Sequence, residues 1–372
     1  MSNFTSNQLF MLNTTSINSS SIVDIPSFDE LLDQLGYEMW QTVVNTFILP
    51  LINLVGIGLC SFSLWIFTRS SFEESIFFYY RLLCFILIIH LIHNIPFGIL
   101  SSPRLFPMMN SYVSSLFGVY YTVASSFLFH FEEVIRMGIL LHKMKFFSPF
   151  IRKHFQYKPQ LVSLAFFLTC LLIDTPLAFS LEPTFFKTYF YTDTTNNVKQ
   201  FSSFYITSSS SFSQTTLGRL FFTFTTFFLN MFLSLLVGII LNTFSYFKYK
   251  SYSFKRKGVV EELQMSSINN RPTTSKEIEQ QRQRERTERT LEKNMLYMAL
   301  TLCSISILSR LIFMASYIYF FLFYSFSNGR LIALISNLIY TLVPTSSIFV
   351  FYMFNQMFCD ETQKFLGFKS NN

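Results

Sequence analysis

Charge is what this chain has least of. Asp, Glu, Lys and Arg make up 13% of its 372 residues, about half of the roughly one quarter that a water-exposed domain carries. That shortage excludes a soluble globular fold. Cysteine is missing wherever it could staple an outer surface. Cys60, Cys84, Cys170 and Cys303 fall inside apolar stretches and Cys359 just past the last one, so no extracellular disulfide framework is on offer. The 11 glycines are scattered, and none builds a phosphate-binding loop. Neither a Gly-x-Ser-x-Gly turn nor a His/Cys/Glu metal spacing occurs. These absences predict no enzymatic activity, no cofactor and no metal. The extreme N-terminus also lacks the basic and apolar regions of a cleavable signal peptide.

Hydrophobic residues fill the space that charge leaves. They account for 51% of the chain, with 49 Phe among them. They gather in seven apolar stretches near 43–68, 77–100, 111–141, 160–181, 215–247, 294–324 and 331–354, each long enough to cross a bilayer. Cations mark one side of these crossings. Arg69, Arg81, Lys143, Lys145, Arg152, Lys153 and Lys158 lie on it, as do the many Lys and Arg of 248–293 and Lys364 and Lys369. The other side has Arg104, Lys187, Lys199 and Arg330. Because Lys and Arg are retained on the cytoplasmic face, this bias predicts an outside N-terminus and an inside C-terminus. The net charge of +7 is then explained by loops facing anionic lipid and not by nucleic acid.

The predicted organisation has three parts. Residues 1–41 form an extracellular tail without Lys or Arg, with three N-glycosylation sequons at Asn3, Asn13 and Asn18. Residues 42–357 form an all-α seven-helix bundle. Its third inner loop, 248–293, begins as a polar stretch without apolar periodicity, read as disordered. It ends as a charged helix from Lys276 that extends the sixth span, capped by Ser275. Residues 358–372 hold a short amphipathic eighth helix and tail, with Phe358, Phe365 and Phe368 expected against lipid.

Ionisable side chains inside the spans carry the functional expectation. Each costs several kcal/mol to place there, so such groups face the bundle interior and have partners. The candidates are Glu132, Glu133 and Arg136 in the third span, Arg310 in the sixth and His90 in the second, with Asp174, His93 and His130 beside them. Glu132 and Arg136 are spaced i,i+4 and can pair with each other. Alternatively, Glu132 or Glu133 reaches Arg310 or His90 across the bundle, forming a polar switch. Tyr317, Phe320 and Tyr324 could line a ligand pocket or belong to an interfacial aromatic belt.

In its span count, orientation, sequon-bearing tail and basic third inner loop, the chain resembles a divergent rhodopsin-like G-protein-coupled receptor of the invertebrate orphan or chemosensory type. The resemblance covers about 40–360 as architecture. His142-Lys143-Met144 stands in place of the family's Asp-Arg-Tyr triad, keeping a cation and losing the acid. His90 stands where an Asp is usual, and Glu132 falls near the family's inner sodium pocket. Ser347 to Phe351 replaces the Asn-Pro-x-x-Tyr run, and Gly118 falls near the family's disulfide Cys.

The resemblance implies a plasma-membrane receptor with an unknown extracellular ligand and a heterotrimeric G protein as partner. The G protein would be contacted by His142, Lys143, Met144, Arg152 and Lys153. Cys359 beside the eighth helix would be a lipidation site, and Ser266, Ser267, Thr273, Thr274 and Ser275 are candidate phosphorylation sites. Two alternatives stay open: a seven-span transporter or channel subunit, and a non-signalling receptor-like scaffold.

Overall fold

The computed structural model describes residues 43–100, 112–145, 147–154, 157–191, 199–224, 232–267, 275–322 and 326–367. The sequon-bearing tail with Asn3, Asn13 and Asn18 lies outside them, as do Tyr324 and Phe368.

Helix dominates because the apolar stretches are rich in Leu, Phe and Ile, and because a chain without water must close its own backbone hydrogen bonds. Helix α1 spans Leu49–Phe67, with Pro50 in its first turn and a π-helical turn, Val44–Ile48, leading in. It stops at Thr68, whose hydroxyl donates to the Trp65 carbonyl at 2.6 Å. A short 3-10 turn, Ser70–Phe72, then drops Phe72 into the core. Helix α2 is Ser75–Leu100 and α3 is Tyr112–Met144. The six-residue α4, Pro149–His154, leads to α5, Pro159–Ser180, which starts on a proline after an extended Lys158. Two short helices follow later, α6 at Ser211–Gln214 and α7 at Thr216–Thr223. The long α8 is Ser234–Ser267 and α9 is Ser275–Leu322. Helix α10, Phe326–Phe354, meets α11, Gln356–Phe365, at Asn355, whose side chain accepts from the Phe358 amide at 3.1 Å.

Among the described residues, four helical stretches are long and apolar enough to cross a membrane: Val44–Phe67, Ser75–Pro96, Pro159–Ser180 and Thr290–Ile312. The pair Thr341–Phe354 and Gln356–Phe365, bent by 99°, makes a fifth if counted as one. A multi-pass membrane protein is therefore the architecture. Helix α3 is the hub, packing against α2, α5, α8 and α9. The 48 residues of α9 run about 72 Å at 1.5 Å per residue. That is far more than a hydrocarbon core of roughly 30 Å, so its charged turns before Thr290 stand outside any bilayer.

Three features differ from the sequence-based expectation. The fold is not purely helical. Leu181–Tyr191 (β1) and Lys199–Ser209 (β2) form an antiparallel hairpin, with Leu181 opposite Ser209 and Tyr191 opposite Lys199. These segments are rich in Phe, Tyr and Thr, which favour a pleated surface, and the hairpin packs on α3. The polar start of the 248–293 segment is also helical, since α8 continues to Ser267. Glu261, Glu262, Leu263, Gln264 and Met265 are good helix formers, a preference that needs no apolar stripe. The third difference is Phe358, which is buried and not turned to lipid. It packs on Phe67 (ring centroids 5.2 Å apart) and Phe351 (5.9 Å), closing an aromatic cluster with Phe72, Phe77 and Tyr80. Phe365 remains exposed and lies against Phe62 and Trp65.

Candidate functional site: buried ion pairs along α3

One helix collects the ionisable groups. The 3.6-residue period puts Tyr121, Ser125, Glu132 and Arg136 of α3 near one face and Ser126, His130 and Glu133 near another. Each set meets a different neighbour. Glu132 is bound twice: its Oε1 takes a bond from Arg136 at 2.5 Å, and its Oε2 lies 3.1 Å from His90 Nδ1 on α2. Pairing within the helix and pairing across the bundle therefore occur at once. The Arg136 guanidinium, almost fully buried, also donates to the Leu302 carbonyl of α9 at 3.0 Å. Cys303, next along α9, places its thiol 3.5 Å from the Arg136 carbonyl.

Glu133 forms a buried ion pair with Arg310 of α9. Arg310 also donates to the Ser234 hydroxyl of α8 and lies over the Phe129 ring, 4.5 Å from its centroid. Four side chains thus join α3, α8 and α9 in one place. Towards α5, His130 Nδ1 lies 3.0 and 2.9 Å from the two oxygens of Asp174, and the Ser126 hydroxyl donates to Asp174 at 2.7 Å. Towards α2, His93 stacks on Tyr121 with centroids 4.1 Å apart and reaches Ser125 at 3.0 Å, while the Tyr121 hydroxyl donates to Asn94 at 3.1 Å.

The basic end of α3 closes differently from the expectation. His142, Lys143 and Met144 are all buried. His142 lies past the apolar run that ends at Leu141. Its Nε2 is 3.2 Å from the Ser75 hydroxyl and its ring packs on Tyr79. Burial, helped by Lys145 and Lys143, pushes its pKa down to about 4. Burial also lowers Lys143, against the opposing charges of Glu74 and Glu292. In this conformation the triad is closed over by α2 and α9, while Arg152 and Lys153 of α4 are exposed. Cys359 is half-buried, with the Gln363 amide 3.4 Å from its sulfur. Of Tyr317 and Phe320 the structure describes the helical backbone alone.

The expected groups that meet are therefore His90 with Glu132 and Arg136, and Glu133 with Arg310. Ser126, Ser234, Ser75 and the Leu302 carbonyl complete the site, and the sequence carries no sign of them. Hydroxyls are abundant here and a backbone carbonyl has no residue signature. Among the described residues, no three His, Cys, Asp or Glu side chains converge on a point that could hold a metal. The arrangement is suited to holding helices together through pairs that a movement of α8 or α9 would break. The sequence matches no protein-family model and no curated protein.

Proposed function

We propose that this chain is a seven-span receptor of the plasma membrane, with its N-terminus outside, that passes ligand binding to a cytoplasmic heterotrimeric G protein. The observation that carries the reading is the Glu133–Arg310–Ser234 contact, which ties the hub helix to both α8 and α9 through one buried guanidinium. A buried pair of this kind has two discrete states, made or broken, and so suits a population shift between two bundle arrangements. An agonist that favours separation of α8 and α9 from α3 breaks the pair. The same motion draws Glu292 away from Lys143 and uncovers His142, Lys143 and Met144 as a contact surface for the G protein, beside Arg152 and Lys153.

The buried ionisable groups also support a second reading, a transporter or channel subunit in which they line a path. One experiment separates the two. Glu133→Gln and Arg310→Met, each brought to the surface of cells reporting G-protein activation, should raise basal signalling several-fold without an ion current. A changed current with no G-protein response sinks the receptor reading.

A further inference from the structure

At the basic end, two separate stretches of chain form one continuous surface. From Lys145 to Lys158 the sequence reads Lys-Phe-Phe-Ser-Pro-Phe-Ile-Arg-Lys-His-Phe-Gln-Tyr-Lys, and from Phe244 to Lys257 it reads Phe-Ser-Tyr-Phe-Lys-Tyr-Lys-Ser-Tyr-Ser-Phe-Lys-Arg-Lys. Neither contains an acid. The first turns through α4 and the second is the middle of α8. They meet where the buried Phe147 packs on Tyr249 (5.4 Å between centroids) and Tyr252 (5.5 Å). The Arg152 Nε donates to the Lys145 carbonyl at 3.2 Å, pinning α4 back on the end of α3.

What this surface shows is an interleaving of cations and aromatics. Arg152, Lys153, Lys158, Lys248 and Lys250 are exposed. Between them Phe150, Tyr157 and Phe254 are 70%, 68% and 80% exposed, too much apolar ring to leave in water. Lys248 sits over the Phe244 ring at 5.2 Å. Glu292 of α9, half-buried at this junction, acts on Tyr249 and, together with Glu74, on the buried Lys143. Exposed rings that need an apolar medium, next to cations that need anions, fit the boundary between acyl chains and charged headgroups.

We propose that α4 and the acid-free part of α8 form a binding surface for anionic phospholipid, with headgroup phosphates or carboxylates held by Arg152, Lys153, Lys248 and Lys250 and acyl chains by Phe150, Tyr157 and Phe254. The junction at Phe147 lets cations from both stretches reach one headgroup. A lipid held there braces α4 against α8, so it favours the closed arrangement in which Lys143 is buried.

The test uses the full chain extracted in neutral detergent and immobilised. It is washed in micelles doped equally with phosphatidylcholine, phosphatidylserine and phosphatidylinositol 4,5-bisphosphate, and the retained lipids are counted by mass spectrometry. The anionic lipids should be retained about tenfold over phosphatidylcholine, and that excess should collapse when salt rises from about 0.1 to 1 M. Combined Arg152→Gln, Lys153→Gln, Lys248→Gln and Lys250→Gln substitution should remove the excess, while Arg69→Gln with Lys364→Gln, beside α1 and α11, should preserve it. The salt response of the unsubstituted protein reads the same surface if the fourfold variant does not fold. Equal retention of all three lipids overturns the proposal. So does a well-folded fourfold variant that keeps the excess, and if that variant also loses its G-protein response, the surface belongs to a protein partner.

Discussion

At the scale of single residues, the buried charges are both the largest liability of this chain and its main source of specificity. An ion pair away from water contributes little net stability, yet removing one partner strands the other and costs roughly 3–5 kcal/mol. Glu132→Gln should therefore lower the melting temperature of the purified chain sharply, since it leaves Arg136 buried against a neutral amide. Replacing Glu132 and Arg136 together by Met should cost clearly less than the sum of the single substitutions, read by thermal unfolding in detergent. Equal and additive losses would show that the 2.5 Å contact carries no coupling. Gly56 is a different kind of constraint. A Cβ there would lie 2.6 Å from the Thr345 hydroxyl of α10 and 2.9 Å from a Leu91 methyl of α2. Glycine is thus what lets α1 approach both neighbours, and Gly56→Val should destabilise by about 1–3 kcal/mol through overpacking, seen as reduced monodisperse yield and a lower melting temperature. Gly58, one turn portion away with nothing within 4 Å, is the internal control: Gly58→Ala should be tolerated.

At the scale of elements, the first turn of α2 and the basic last turn of α3 form a pH-sensitive joint. Burial holds the His142 imidazole down at a pKa of about 4 in the folded protein, below its ordinary value of 6.5. The unfolded chain therefore binds more protons between those values, and stability rises with pH across that window. The contribution is fully present above about 6.5, is lost progressively as pH falls, and is gone near 4. Thermal unfolding of His142→Asn should show a shallower slope between pH 7 and pH 5 than the unsubstituted chain. Identical slopes would mean that another group titrates there. Helix α11 shows how an amphipathic pattern can mislead about direction. Its Asn355 cap bends the chain by 99° from α10, and the turn carries Phe358 inward onto Phe67 while leaving Phe365 outside.

At the scale of the whole molecule, charge distribution and burial divide the protein into two unlike ends. One carries the β-hairpin over α3, and the other carries α4, α11 and the charged halves of α8 and α9. Placing the hairpin end outside predicts that a tag at the N-terminus is reached by antibody in intact cells and that a C-terminal tag needs permeabilisation. Glycosidase treatment should lower the apparent mass, and Asn3→Gln with Asn13→Gln and Asn18→Gln should abolish that shift. Both tags on one side would remove the receptor proposal, because an odd number of crossings is its premise.

The sequence by itself determined that the chain belongs in a membrane, that it is mostly helical and which side chains had to be buried with partners. Each follows from a local quantity: apolar length, charge density, and the cost of a lone ion in hydrocarbon. The helical extension from Lys276 was legible for the same reason, since α9 begins at Ser275. Tertiary structure alone decided which partners meet. Glu132 and Arg136 are four residues apart and readable as a pair, whereas His90, Leu302, Ser234 and Asp174 come from helices whose rotation about their axes no local pattern sets. That rotation is fixed when neighbouring surfaces interlock, at Gly56 against Thr345 and at Phe147 against Tyr249. The same packing buries His142, Lys143 and Met144, which the chain's charge pattern alone would have left in water.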